Sequence, residues 1–189
     1  MSLMSSLHFG NSVVGAQSWL GASTGANLAL EVAAQHVCEV DALVLLGPHS
    51  RVPVPRYIGI FSILPSWAAE LWKKAALSLL DIRKPRRLEE KQYEGLVAAV
   101  RGADLRKMGA SSRAWRRYRI DVETARAINV PTLVVGAASD SFHSNVAAMA
   151  VANAMPTVTY HEVSNFTALH ASATGRRVAD FCKSTHGER

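Results

Sequence analysis

WLGASTGANLALEVAAQH, residues Trp19–His36, decides how the rest of the chain is read. Ser23 stands between two glycines, Gly21-Ala22-Ser23-Thr24-Gly25, with apolar residues before it and strong helix formers after it. Small residues at such regular places suit a sharp strand-to-helix turn, not a surface loop. In the pattern G-x-S-x-G the glycines allow the reversal, and the serine hydroxyl is pushed out at the top of a sheet on a strained backbone. The helix that follows carries Leu28, Val32 and the alanines at helical spacing. Its amino-terminal dipole and free N–H groups point at the same spot. An oxyanion formed there would accept a hydrogen bond from the Thr24 N–H. The plainer alternative is a serine that merely caps a helix.

Outward from this turn, residues 42–48 (ALVLLGP) form a continuous apolar run ended by Gly47-Pro48. Such a run marks a strand buried on both faces, as in a parallel sheet covered by helices. Val130–Gly136 is a second run of this kind, and Thr157–Val163 a third that alternates more. Helical pattern separates the strands, so the class is α/β, with a mostly parallel sheet of about four strands. Residues 57–80 are apolar and helical, broken near Pro65. Helices around Leu88–Arg101 and Arg113–Arg119 follow, with Gly102 and Gly109 as punctuation. A last helix over Thr174–Lys183 closes the sheet. The expected organisation is a core of residues 1–56 and 120–189, with residues 57–119 inserted over the carboxyl edge of its sheet.

A serine hydroxyl needs a base, and the base an acid to orient it. Asp140 directly follows the run PTLVVGAAS, where a carboxylate stands at a strand's carboxyl end. His170 lies thirty residues further on, in the loop SNFTALHAS between the last strand and the last helix. Ser23, Asp140 and His170 thus come from three strand ends of one sheet. Two histidines compete with His170: His161 on the last strand, and His143, which sits very near Asp140. Asp140 flanked by Ser139 and Ser141 also reads as a turn or N-cap carboxylate. A rival elbow, Gly10-Asn11-Ser12-Val13-Val14-Gly15, has valine where the second glycine belongs.

In LGASTGANLALEVAAQH, VDALVLLGP, INVPTLVVGAASD and the stretch around His170, the chain resembles the α/β-hydrolase family, in its branch with a helical cap. The resemblance covers about residues 19–56 and 121–183. It implies a serine hydrolase acting on an ester, thioester or related acyl bond, with Ser23 as nucleophile, His170 as base and Asp140 as its orienter. It also implies that residues 57–119 are the cap. Only about 20 residues precede Ser23, where family members carry several strands and the loop giving the second oxyanion donor. His8-Phe9-Gly10 echoes that loop faintly. The expectation is therefore a fold without its amino-terminal strands, whose exposed edge favours a homo-oligomer. A catalytically impaired, self-associating remnant is the alternative.

Composition bounds these expectations. The chain has 189 residues, about half of them apolar, which suits one domain with a sizeable core. Two cysteines, Cys38 and Cys182, make neither a disulfide framework nor a metal site. No phosphate loop, metal-ligand spacing or dinucleotide fingerprint appears, so no cofactor is expected. No run approaches the roughly 20 apolar residues of a membrane span. The start has no basic residue ahead of a short apolar stretch, so a secretory signal is not expected and the protein reads as cytoplasmic. Net charge is +6, yet 14 of the 21 Lys and Arg lie between Lys73 and Arg119 against five acidic residues, near +9 for that segment. Solvated helix faces explain it most simply, and the sharper reading is a surface that attracts an anion: a charged acyl substrate, a lipid head group or nucleic acid. A nucleic-acid module with Trp115 beside Arg113, Arg116 and Arg117 is a third class, although no nucleic-acid fold surrounds it.

Overall fold

The computed structural model describes residues 17–36, 39–49, 54–83, 85, 88–120 and 122–187. His8-Phe9-Gly10, the rival elbow at Gly10–Gly15 and Cys38 lie outside them. Four strands form one parallel sheet in the spatial order β1-β2-β3-β4. They are β1 Ser18–Ala22, β2 Ala42–Leu46, β3 Thr132–Ser139 and β4 Val158–Asn165. β2 is buried at all five positions, as its unbroken apolar run requires of a strand covered on both faces. β4 alternates half-buried residues with the exposed Thr159, Glu162 and Ser164, and closes one edge of the sheet.

One face of the sheet is covered by α1 (Thr24–Ala34), α5 (Val122–Arg126) and α6 (Asn145–Ala154), which pack Ala26, Leu30, Ala125 and Val151 against Leu43, Leu45 and Val134. The other face packs Val44, Leu46, Leu133 and Val135 against Leu169 of α7 (Phe166–Leu169) and Val178 and Phe181 of α8 (Ser172–Gly187). Alternate residues of β2 and β3 thus enter two separate cores, the consequence of the two-residue strand period. Cys182 lies at the edge of the second core as a free thiol. On α1 the buried face is made by alanines, Leu30 and Asn27, while Leu28, expected among the packed positions, is exposed.

Between β2 and β3 the chain runs through helices with a small core of their own. A 3-10 helix, Arg56–Ser62, precedes α2 (Ser66–Ile82), and Pro65 is the boundary between them. Proline fixes a φ suited to helix entry and cannot prolong the preceding turn. α3 (Glu90–Gly102) and α4 (Leu105–Arg117) follow. α4 begins eight residues earlier than the pattern suggests, because Gly109 lies inside it. A Cβ at Gly109 would come within 2.5 Å of Ser62 N and 3.0 Å of Ile58 O. Here glycine marks two backbones in close approach, not a helix end. Phe61, Ala69 and Leu105 fill the resulting core, and Trp72 meets Phe61 edge-on.

Candidate active site

The end of β1 behaves as the quoted stretch requires. Ser23 has φ 54 and ψ −122, a left-handed conformation that a non-glycine residue holds at a cost of roughly 1–3 kcal/mol. Its side chain makes no capping bond to α1, so the capping explanation does not account for it. The turn is pinned from outside by Ser23 N–H donating to Leu46 O at 2.8 Å. Gly21 is sterically required, since a Cβ there would fall 2.3 Å from Gly25 O. Gly25 faces open space. Thr24 N–H is the first of α1 and has no i−4 partner within the helix.

The Ser23 hydroxyl meets an imidazole: Oγ lies 3.4 Å from Nε2 of His49. His49 stands three residues beyond the end of β2 and is buried, held through its backbone. His49 N–H donates to Asn27 Oδ1 at 2.9 Å, and Asn27 Nδ2 donates to His49 O at 2.7 Å. Asn27 is fully buried, four residues after Ser23 on α1, and its carbonyl accepts from Tyr118 OH at 3.2 Å. Burial and the neighbouring His143 lower the pKa of His49, while Asp140 acts in the opposite direction.

Asp140 follows β3, its side chain fully buried. Oδ1 accepts from Phe142 N at 2.7 Å, His143 N at 3.2 Å and Gln92 Nε2 at 2.8 Å. Oδ2 lies 2.7 Å from Nδ1 of His143. The tight turn after Asp140 folds the His143 ring back onto that second oxygen, so closeness in sequence, which seemed to count against His143, produces the pairing. The carboxylate therefore takes part in a turn and orients an imidazole at once. Three aromatic contacts then join the histidines in a row. His49 and His143 have ring centroids 4.8 Å apart, His143 stacks on Phe166 at 6.2 Å, and Phe166 meets His170 at 4.5 Å.

His170 caps α7 and is exposed. Among the described residues no hydrogen bond joins its ring to Ser23 or Asp140. Partial desolvation, then the charges of His143 and Lys91, lower its pKa, and Asp140 raises it, so it shares the field of the cluster. His161 lies on β4, its pKa lowered by desolvation and by Arg177 of α8.

The inserted helices reach this cluster through two side chains. Gln92 of α3, 1% exposed, holds Asp140, and its Oε1 accepts from Glu89 N at 3.2 Å. The Glu89 carboxylate accepts from Phe166 N at 3.1 Å and Thr167 N at 3.2 Å, the first N–H groups of α7. Among the described residues no group of three acidic, histidine or cysteine side chains is placed to hold a metal.

A strained serine after a parallel strand, an amphipathic helix behind it, and a carboxylate and histidines beyond the next strands describe one architecture. A family model, serine aminopeptidase S33, matches residues 11–167. The chain belongs to this α/β-hydrolase family. No curated protein matches it in sequence. Among solved structures, this α/β-hydrolase is similar to the enol-lactonase from Burkholderia xenovorans LB400, at 17% identity and a TM-score of 0.63 over 89% of this chain and 66% of that one. It is similar to a thermophilic esterase, at 19% identity and a TM-score of 0.64 over 92% of this chain and 68% of that one. MenH from S. aureus gives 18% identity and 0.61 over 90% and 69%. The chain spans about two thirds of the length of these structures. At such identities the likeness concerns the fold.

Sequence pattern alone passed over His49, Asn27, Gln92 and Glu89. A usable signal existed for His49: it lies just beyond the carboxyl end of a buried parallel strand, where sites of open α/β sheets gather. Gln92 and Glu89 carried none, since helix-surface residues of the insertion gain a role only through tertiary placement.

Proposed function

We propose that this α/β-hydrolase cleaves an ester, thioester or related acyl bond of a small molecule through an acyl-enzyme on Ser23. The observation that carries the proposal is the elbow. A serine is held in an unfavourable conformation, free of any capping bond, beside the start of a helix and an imidazole. A residue that only turned the chain would gain nothing from that strain. Ser23 Oγ attacks the carbonyl carbon, and the Thr24 N–H receives the developing oxyanion. A histidine of the cluster takes the Ser23 proton and returns it to the leaving group. Family resemblance assigns that part to His170, with Asp140 orienting it. No cofactor enters the scheme. The helices of residues 57–119 serve as the cap and bring apolar side chains and a basic surface to an acyl substrate that is itself anionic. A cytoplasmic setting suits the free Cys182 thiol.

The test is labelling by a fluorophosphonate probe. Wild-type protein is expected to label and Ser23→Ala not at all, with turnover of short-chain p-nitrophenyl esters lost in parallel. Equal labelling of both proteins rejects Ser23. The self-associating, inactive alternative is favoured by the exposure of Leu20 on β1, and it prevails if the folded wild type neither labels nor turns over.

A basic nucleic-acid module draws less support. Trp115 packs edge-on against Tyr118 at 6.0 Å, and together with Leu28, Glu31 and Ala114 they line a hollow of about 300 Å³. Arg116 is turned inward to Ser112 Oγ at 3.3 Å. A ring engaged in this way is a poor platform for bases.

A further inference from the structure

We infer that His49 is the residue that takes the proton from Ser23, with His143 and Asp140 as its positioning pair. The inference rests on the serine-hydrolase proposal and goes beyond it by naming a base that the family resemblance does not. Among the described residues His49 is the imidazole in contact with the Ser23 hydroxyl, at 3.4 Å. Such contacts are often long before substrate binds and shorten in the complex. Its placement is specified by more than packing. The paired backbone bonds to fully buried Asn27 fix where the His49 backbone lies relative to the helix that carries Ser23. Behind it stands His143, whose ring lies 4.8 Å away and whose Nδ1 faces Asp140 at 2.7 Å.

The proton inventory closes on these groups. With its own proton on Nδ1, His49 accepts the Ser23 proton at Nε2 while Oγ forms its bond to the carbonyl carbon. The carbonyl electron pair moves onto oxygen, so His49 becomes an imidazolium beside an oxyanion. Collapse of the tetrahedral species breaks the bond to the leaving group, which departs with the proton from Nε2. Water repeats the sequence: it gives a proton to Nε2, its oxygen bonds to the acyl carbon, and Ser23 Oγ leaves with that proton. The acid and the alcohol, thiol or amine are the only products. The positive charge that His49 carries twice per cycle is met by the Asp140 carboxylate, one imidazole away. Asp140 keeps that carboxylate dry and fixed through Gln92 and the two turn N–H groups. His143 stands between the two, its Nδ1 on Asp140 Oδ2 and its ring tilted 34° to that of His49.

The experiment compares second-order rates of fluorophosphonate labelling, with thermal melts to verify folding. Wild type, His49→Ala, His170→Ala and His161→Ala are measured with and without added imidazole. His49→Ala is expected to lose on the order of 100-fold or more, the usual share of a general base. Imidazole is expected to restore a substantial part, which a structural loss would not allow, and His161→Ala to keep the wild-type rate. The inference is overturned if His49→Ala labels like wild type, or if His170→Ala is the variant that loses its rate and regains it with imidazole. A folded wild type that never labels sinks the hydrolase proposal itself, and the inference with it.

Discussion

Each glycine of the elbow has a different task, and substitution separates them. The Cβ of Gly21→Ala would collide with the backbone of Gly25 and Ala26 in the first turn of α1, so helix and strand must move apart. Overpacking of this kind costs roughly 1–3 kcal/mol and also displaces Ser23. Gly25→Ala meets nothing and replaces the poorer helix former, a gain of roughly 0.5–1 kcal/mol. Thermal melts should therefore fall for the first variant and hold or rise for the second, and a matching loss in both would show that the elbow is misplaced. The hydroxyl's partner adds a pH signature. Burial and then His143 lower the pKa of His49 against the pull of Asp140, and among the described residues no other charged group is set against the ring, Asn27 being neutral. A kcat/KM profile governed by His49 should therefore have its acid midpoint below about 6.5, the ordinary histidine value, and a midpoint above pH 7 would assign the base elsewhere. The places of Ser23 and Asp140 at strand ends were legible in sequence because each closes a strand pattern. His49 was passed over, because its meaning comes largely from a clamp to Asn27, 22 residues away in the chain.

At the scale of elements, the sheet could be read in advance and the insertion only in outline. Continuous apolar runs leave few alternatives to buried parallel strands, and β2 and β3 lie where those runs do. The helices between them follow weaker cues. Gly109 looked like a stop and is a contact point, because glycine serves both purposes and only the opposing backbone tells which. How α3 joins the core is likewise tertiary information. Its single fully buried amide, Gln92, reaches Asp140, and Glu89 takes the leading N–H groups of α7. Gln92→Ala removes one of three donors from a buried carboxylate oxygen, and a hydrogen bond to a charged group is worth about 1.5–3 kcal/mol. Lower stability and slower labelling are expected together, since Asp140 backs the histidines. Gln92→Leu restores volume without the amide, so recovery of labelling in that variant would show that the side chain matters by packing alone.

At the scale of the whole molecule, the histidines couple chemistry to stability. His49, His161 and His170 all have folded pKa values lowered from the ordinary one. Below about pH 6.5 the unfolded chain then binds more protons than the folded one, so stability falls with acidification through that window. Melting temperature should drop between pH 7 and pH 5, by less in His49→Gln. Assembly follows from where apolar surface is left. β1 ends the sheet among the described strands, and Leu20 on it is 56% exposed, while Trp67 and Leu71 of α2 are exposed by 71% and 62%. Burying a leucine side chain is worth about 1.5–3 kcal/mol, and a two-fold contact counts it twice. Of these residues, Leu20 alone lies on the rigid sheet, where two copies can meet without rearranging helices. Light scattering should therefore find a dimer that Leu20→Lys converts to monomer while leaving Ser23 reactive. A wild type that stays monomeric at high concentration would place that surface in some other use, such as holding the acyl group of a substrate.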